Sequence, residues 1–157
     1  MIVLTRVDSR LLHGQVLEGW VPHLAVGRLV VADDQVAADP TASAAMAIAA
    51  PPELELDITP LSSADLTRAA TDGVRTLVLV RDVRGAQALH QKGDLRGRLQ
   101  LGNVHAGPGR SPRSRSVFLS EAELSALEAL AASGLTIEAQ AAVGEAPVPL
   151  ARLAAPA

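Results

Sequence analysis

Two arginines, an aspartate and a histidine lie close together in Arg6-Val7-Asp8-Ser9-Arg10-Leu11-Leu12-His13-Gly14-Gln15-Val16. An imidazole with a near-neutral pKa can act as a nucleophile at cellular pH, because its unprotonated nitrogen is well populated. If such a ring took up a phosphoryl group, the added negative charge would need partners. Arg6 and Arg10 could bear on it, since the guanidinium fork fits phosphate oxygens. Gly14 would let the backbone come close to phosphate, and amides at a helix start add donors and a favourable dipole. Asp8 could orient either the histidine or an arginine. The same residues also fit a purely structural reading. A histidine near a helix start is commonly a cap or a surface residue. Arg6 directly follows a strand and could simply hold the loop by pairing with Asp8. The spacing by itself leaves both readings open.

The other residues with chemical potential form weaker patterns. His105-Ala106-Gly107-Pro108-Gly109-Arg110 is glycine-rich and is followed by Ser111, Arg113 and Arg115. A loop of this kind can wrap a phosphate, and it can equally be a surface connection. It matches neither a Walker A sequence nor the dinucleotide G-x-G-x-x-G pattern, so nucleotide binding has little support. His23, His90 and His105 are scattered, and the chain has no cysteine, so no metal site is expected. Asp33-Asp34 could hold a cation in a cleft, but a strand-end cap suits it better. Trp20 reads as a core residue.

These side chains need a scaffold, and the apolar pattern supplies one. Ile2–Thr5 reads as a buried strand. In His13–Leu24, Val16, Trp20 and Leu24 mark one helical face. Leu29–Val31 is a second strand. Asp39-Pro40 supplies a cap and first-turn proline for a helix to about Ala49. Leu54–Ile58 is a third strand, and Ser62 with Asp65 resembles a capping box for a helix to about Ala70. Thr76–Val80, apolar on both faces, has the pattern of a parallel strand covered on both sides. A helix over Arg84–Gln91 and a strand over Leu99–Val104 follow. Val117–Leu119 is a short strand, and Ser120 with Glu123 caps a helix closed by Gly134. Leu135–Ala139 is the last strand. This alternation predicts a single α/β domain, three-layer α/β/α with a mainly parallel central sheet. Residues 1–142 form the domain, and 143–157 form a Pro/Ala-rich tail expected to pack on that domain, lying loosely on its surface, or to trail from it. Sites in such folds sit beyond the carboxyl ends of the strands. That selects Arg6–Gln15, Asp33–Asp39, Arg81–Arg84 and His105–Arg115.

Composition narrows the function further. A net charge of −3 gives no strong field toward nucleic acid or an anionic membrane. One Trp, one Phe and no Tyr are too few aromatics for a base-stacking single-strand binder. The lack of cysteine is compatible with the cytosol. The first apolar run is too short for a signal peptide, and no stretch reaches the ~18 apolar residues of a membrane span. A cytoplasmic protein without direct membrane insertion is expected.

The stretch from Arg6 to Val16, with its H-G-Q-V element at His13–Val16, resembles the signature of IIB subunits of the mannose/fructose/sorbose family of the sugar phosphotransferase system. Val30–Ala37, Ala50-Pro51-Pro52, Leu101–His105 and Val117–Ser120 resemble further segments of that family, so the likeness spans nearly the whole chain. One departure is His105-Ala106-Gly107, where members often have a Gly-Gly pair. The resemblance implies that His13, through Nδ1, accepts a phosphoryl group from a phosphohistidine on a IIA protein. It implies onward transfer to a sugar held by membrane subunits IIC and IID. Arg10, Arg6 and Asp8 then belong to the catalytic group, Gly14 and Arg113 to the phosphate cradle. No cofactor or metal is implied, and a homodimer is compatible with the family. Two other readings remain: a regulatory phosphorelay protein using the same His13 without transport, and a nucleotide-binding α/β module with no phosphoacceptor.

Overall fold

Thr76–Val80 (β4) is buried at every position, as expected of a strand with helices on both sides. The computed structural model describes residues 1–155. Around β4 lies a sheet of seven strands: β1 (Ile2–Asp8), β2 (Arg28–Ala32), β3 (Glu55–Thr59), β4, β5 (Arg98–Asn103), β8 (Thr136–Ala139) and β9 (Val148–Pro149), in the order β3-β2-β4-β1-β5-β8-β9. All pairings are parallel except β8 with β9. A separate two-stranded ribbon joins β6 (Ser111–Pro112) to β7 (Phe118–Leu119).

Alternation of side chains along the strands creates two cores. On one face Leu4, Leu29, Val31, Leu77 and Leu79 pack with Leu11, Val16, Trp20 and Val36. This face is covered by a π-helical segment (Gln15–Trp20) running into α1 (Val21–His23), then α2 (Asp34–Ala37) and α3 (Pro40–Ala49). On the other face Val7, Val30, Val78, Val80, Leu99 and Leu101 pack with residues of α5 (Val83–Gln91) and α6 (Glu121–Ala132). Each buried leucine or valine contributes about 1.5–3 kcal/mol of transfer free energy. The predicted α/β/α sandwich is the observed one.

Three local expectations need correction. β1 runs to Asp8, three residues past the expected end, because Arg6 and Asp8 are themselves buried strand residues, paired in register with Gln100 and Asn103 of β5. Ser62 caps no long helix. It lies in a 3-10 turn (Leu61–Ser63), and only a short α4 (Thr67–Thr71) follows, with Asp65 accepting from the Thr67 amide at 2.9 Å. The tail is not loose: β9 adds an edge strand, and α7 (Leu150–Ala154) buries Leu153 completely in the second core. By contrast, Ser120 and Glu123 form the expected reciprocal capping box, a device worth about 1 kcal/mol.

The strand order fixes where chemistry can occur. From β1 the chain crosses toward β2 and β3, whereas from β5 it moves the opposite way to β8. The carboxyl ends of β1 and β5 therefore mark the switch point at which open α/β sheets form a ligand crevice. At the other end of the sheet, buried Arg28 opens β2 and pairs with Asp72 at 2.6 Å and Glu55 at 3.1 Å. The hydrogen bond from Arg28 holds the Asp72 carboxyl down to about 2.

Candidate active site

Asp8 is the last residue of β1, and its carboxylate gathers the neighbouring groups. Oδ1 accepts the Arg10 amide at 3.0 Å, and the Leu11 amide donates to the Asp8 carbonyl at 2.9 Å. The chain thus makes a tight turn, with Leu11 at a positive φ of 57°. Such a conformation is uncommon for a branched side chain and persists only when packing enforces it. Here Leu11 is buried in the first core and anchors the loop, while Leu12 beside it is only half-buried.

Oδ2 of Asp8 accepts from Arg6 Nε at 3.2 Å and Nη2 at 3.1 Å, from Asn103 Nδ2 at 2.9 Å and from His13 Nε2 at 2.9 Å. A carboxylate ion-paired with arginine accepts only, so the His13 nitrogen facing it carries the proton. In the neutral ring Nδ1 then holds the free lone pair, and no protein group among the described residues hydrogen-bonds to it. The His13 side chain is 13% exposed, so solvent reaches it while Asp8 holds the ring.

Arg6 does not face the crevice, contrary to its expected role beside phosphate. It is 0% exposed, and its donors are occupied by Asp8, Gln100 Oε1, Gln15 Oε1 at 3.2 Å and the carbonyls of Gln140 and Ala141 at 3.0 and 2.9 Å. Its guanidinium lies 5.4 Å from the Trp20 ring centroid, and the Trp20 indole donates to the same Ala141 carbonyl at 3.0 Å. Burial lowers the Arg6 pKa, and the charge and hydrogen bonds of Asp8 offset part of that effect. Arg6 is the buried counter-charge that holds Asp8 in place, the alternative its position beside the strand allowed.

Arg10 is the arginine left free. It is exposed, and its side chain makes no ion pair or hydrogen bond among the described residues. Gly14 is exposed at the start of the π-helical segment, with a helical φ of −53°, and a β-carbon added there would meet nothing within 4 Å. Neither its backbone conformation nor the space around it requires glycine at this position.

The glycine-rich loop is tied down by its own ion pairs. Arg110 binds Glu123 through two nitrogens at 2.8 and 3.1 Å and also donates to the His105 carbonyl. Burial pushes the Glu123 carboxyl up, but hydrogen bonds from Arg110 and Ser120 outweigh it and hold the group below its usual range. Arg113 donates to Glu121 at 2.7 Å, so the structure pairs it with a carboxylate and does not bring it into the His13 cluster. The His105 amide donates to Ser9 Oγ at 3.1 Å, which fastens the loop beside the end of β1. Asp33 caps α2 through the Val36 amide and forms a two-point ion pair with Arg81 at 3.0 and 2.8 Å.

Gln15, Gln100 and Asn103 were not among the expected site residues. For Gln100 and Asn103 the available signal was uncharged polar side chains within the buried run of β5, on either side of Gly102; for Gln15 it was its place in the H-G-Q-V element.

The family model for the PTS system sorbose subfamily IIB component matches residues 2–156. The chain belongs to this family. The N-acetylgalactosamine-specific phosphotransferase enzyme IIB component 2 of Escherichia coli K12 is 28% identical over 153 residues, covering 97% of this chain and 98% of the relative. The mannose-specific EIIAB component of the same strain is 27% identical over 142 residues. That match covers 88% of this chain but only 43% of the relative, so the chain spans less than half the length of that IIAB protein. Among solved structures, the N-acetylgalactosamine-specific IIB component 1 of Escherichia coli superposes with a TM-score of 0.87 at 25% identity, covering 94% of this chain and 98% of that one. The IIB domain of the Klebsiella pneumoniae sorbose permease shares the fold, with a TM-score of 0.88 at 22% identity over 98% and 96% of the two chains. The sheet with a helical layer on each face is thus the fold of sorbose-subfamily IIB components. No helix among the described residues is long and apolar enough to cross a membrane.

Proposed function

We propose that this IIB component carries a phosphoryl group on Nδ1 of His13, receives it from a phosphohistidine of a IIA-type unit and gives it to a sugar held by membrane IIC and IID partners. The observation that carries the proposal is the 2.9 Å contact between His13 Nε2 and Asp8 Oδ2, which leaves the Nδ1 lone pair facing solvent. The match to part of an EIIAB component supports a IIA-type donor.

In the first step the Nδ1 lone pair attacks the donor's phosphorus in line. A P–N bond forms to His13 as the donor's P–N bond breaks, and the donor ring recovers its electron pair. Attack leaves His13 with substituents on both nitrogens and a positive ring. Asp8 stabilises that charge by accepting the Nε2–H bond. Its own charge is already matched by Arg6, so the site stays close to neutral before phosphate arrives. Arg10 contributes a mobile positive charge toward the phosphoryl oxygens. In the second step a sugar hydroxyl oxygen attacks phosphorus, the P–Nδ1 bond breaks, and the hydroxyl proton passes to water or to a base of the sugar-holding partner. The protein's contribution is position and charge, which is most of what phosphoryl transfer requires.

The ring nitrogen provides the test. Phosphorylated protein labelled with 15N at histidine should show phosphorus coupled to Nδ1 of His13. Coupling to Nε2 would refute the assigned orientation.

A further inference from the structure

Among the residues around His13, Asn103 has no role in the chemistry above. It ends β5 opposite Asp8 in the sheet register, and the Ser9 amide donates to its carbonyl at 2.7 Å. Both strand ends are therefore fixed to each other before any side chain is considered. The Asn103 amide nitrogen makes two hydrogen bonds, to Asp8 Oδ2 at 2.9 Å and to Gln15 Oε1 at 3.0 Å.

The direction of these bonds is forced. A guanidinium can only donate, so Gln15 must turn its carbonyl oxygen toward Arg6 Nη2, at 3.2 Å. With that oxygen also facing Asn103, the Asn103 side chain must present NH2 and not C=O. One of its hydrogens meets Gln15, and the other goes to Asp8. The Asp8 oxygen so held is the one that faces His13, and an accepting oxygen requires N–H on Nε2. Arg6 thus sets the polarity of a chain that passes through Gln15 and Asn103 to Asp8 and ends at the imidazole.

We infer that Asn103 is a positioning residue for His13: by donating to both Asp8 and Gln15 it adds to Arg6 a neutral donor that holds the Asp8 carboxylate ionised and oriented toward the ring, and so keeps His13 in the Nε2–H tautomer, with Nδ1 available. The inference deepens the phosphocarrier reading and rests on it for its consequence, but the tautomer itself is a property of the resting protein. Asn103 touches no phosphate. It acts only through Asp8.

The test replaces Asn103→Asp, which keeps the shape but puts an acceptor against both Asp8 and Gln15 and a like charge against Asp8. Asn103→Ser keeps a single neutral donor and serves where the charged variant fails to fold. Gln15→Glu is the contrasting change, because it still presents oxygen to Arg6 and Asn103. The 15N shifts of the His13 ring report the tautomer in unphosphorylated protein, and IIA-dependent phosphorylation reports the rate. In Asn103→Asp the neutral Nε2–H form should lose its predominance and the transfer rate should fall at least about tenfold, since the wrong tautomer lacks the nucleophilic electron pair. Asn103→Ser should show a smaller loss of both, and Gln15→Glu should keep the wild-type tautomer. A wild-type tautomer in both Asn103 variants overturns the inference, whatever their rates. If wild-type protein is not phosphorylated on His13, the carrier reading fails, and the 15N shifts still decide the role of Asn103.

Discussion

Gly102 lies against Arg6 so closely that a β-carbon at position 102 would overlap the central carbon of the guanidinium. Gly102 is therefore demanded by space. Its neighbours in β5 hold the same arginine and its partner: Gln100 accepts from Arg6, and Asn103 donates to Asp8.

Gly102→Ala should therefore displace Arg6 from its buried position. Overpacking of a tight interior costs about 1–3 kcal/mol, and release of the Asp8 counter-charge adds to it. Thermal denaturation should show a lower transition, and phosphorylation should fall with it. An unchanged transition would mean that Arg6 moves aside freely.

Arg10→Ala should leave the fold intact, because the side chain is exposed and unpaired among the described residues, and only the backbone amide of Arg10 bonds to Asp8. A charged hydrogen bond to phosphate is worth about 1.5–3 kcal/mol, which converts to a roughly 10- to 100-fold slower transfer. Rapid-quench measurement with a IIA donor checks this, alongside a normal thermal transition. Wild-type rates would remove Arg10 from the site.

Asp72 gives a pH signature far from the crevice. Its pKa is depressed by Arg28 to about 2, below the ~3.9 of an unfolded aspartate. The pairing is fully stabilising above the unfolded value and is lost as pH falls through the folded one. Asp72→Asn should thus be less stable than wild type from neutral pH down to about 4, with the gap closing toward pH 2. Urea denaturation across that range measures it. A gap that stays constant over the whole range would contradict the pairing.

The parts of this molecule visible in its sequence are those where one local rule decides. The apolar run Thr76–Val80 and the Ser120–Glu123 cap fall where expected because burial on both faces and helix capping leave direct marks. The end of β1 was hidden because charge usually ends a strand. Only the partners across β5, far along the chain, make burial of Arg6 and Asp8 possible. The tail misled for a similar reason: proline and alanine suggest looseness, yet β8 offers an open edge and Leu153 fills a gap in the second core. That Asp8 orients a neighbouring histidine or arginine was legible through their spacing, and Asp8 contacts both His13 and Arg6; the assignment of His13 and Arg10 to phosphate chemistry rested on the resemblance of the H-G-Q-V stretch. The different fates of Arg6 and Arg10 were not legible, since a sequence does not tell which of two nearby arginines points inward.

The most direct measurement is intact mass of the protein after incubation with the general phosphotransferase proteins and a IIA donor. Wild-type protein should gain one acid-labile phosphoryl adduct. His23→Ala, His90→Ala and His105→Ala should gain it as well, and His13→Ala should gain none. Undiminished phosphorylation of His13→Ala would contradict the assignment of His13 as the phosphate carrier.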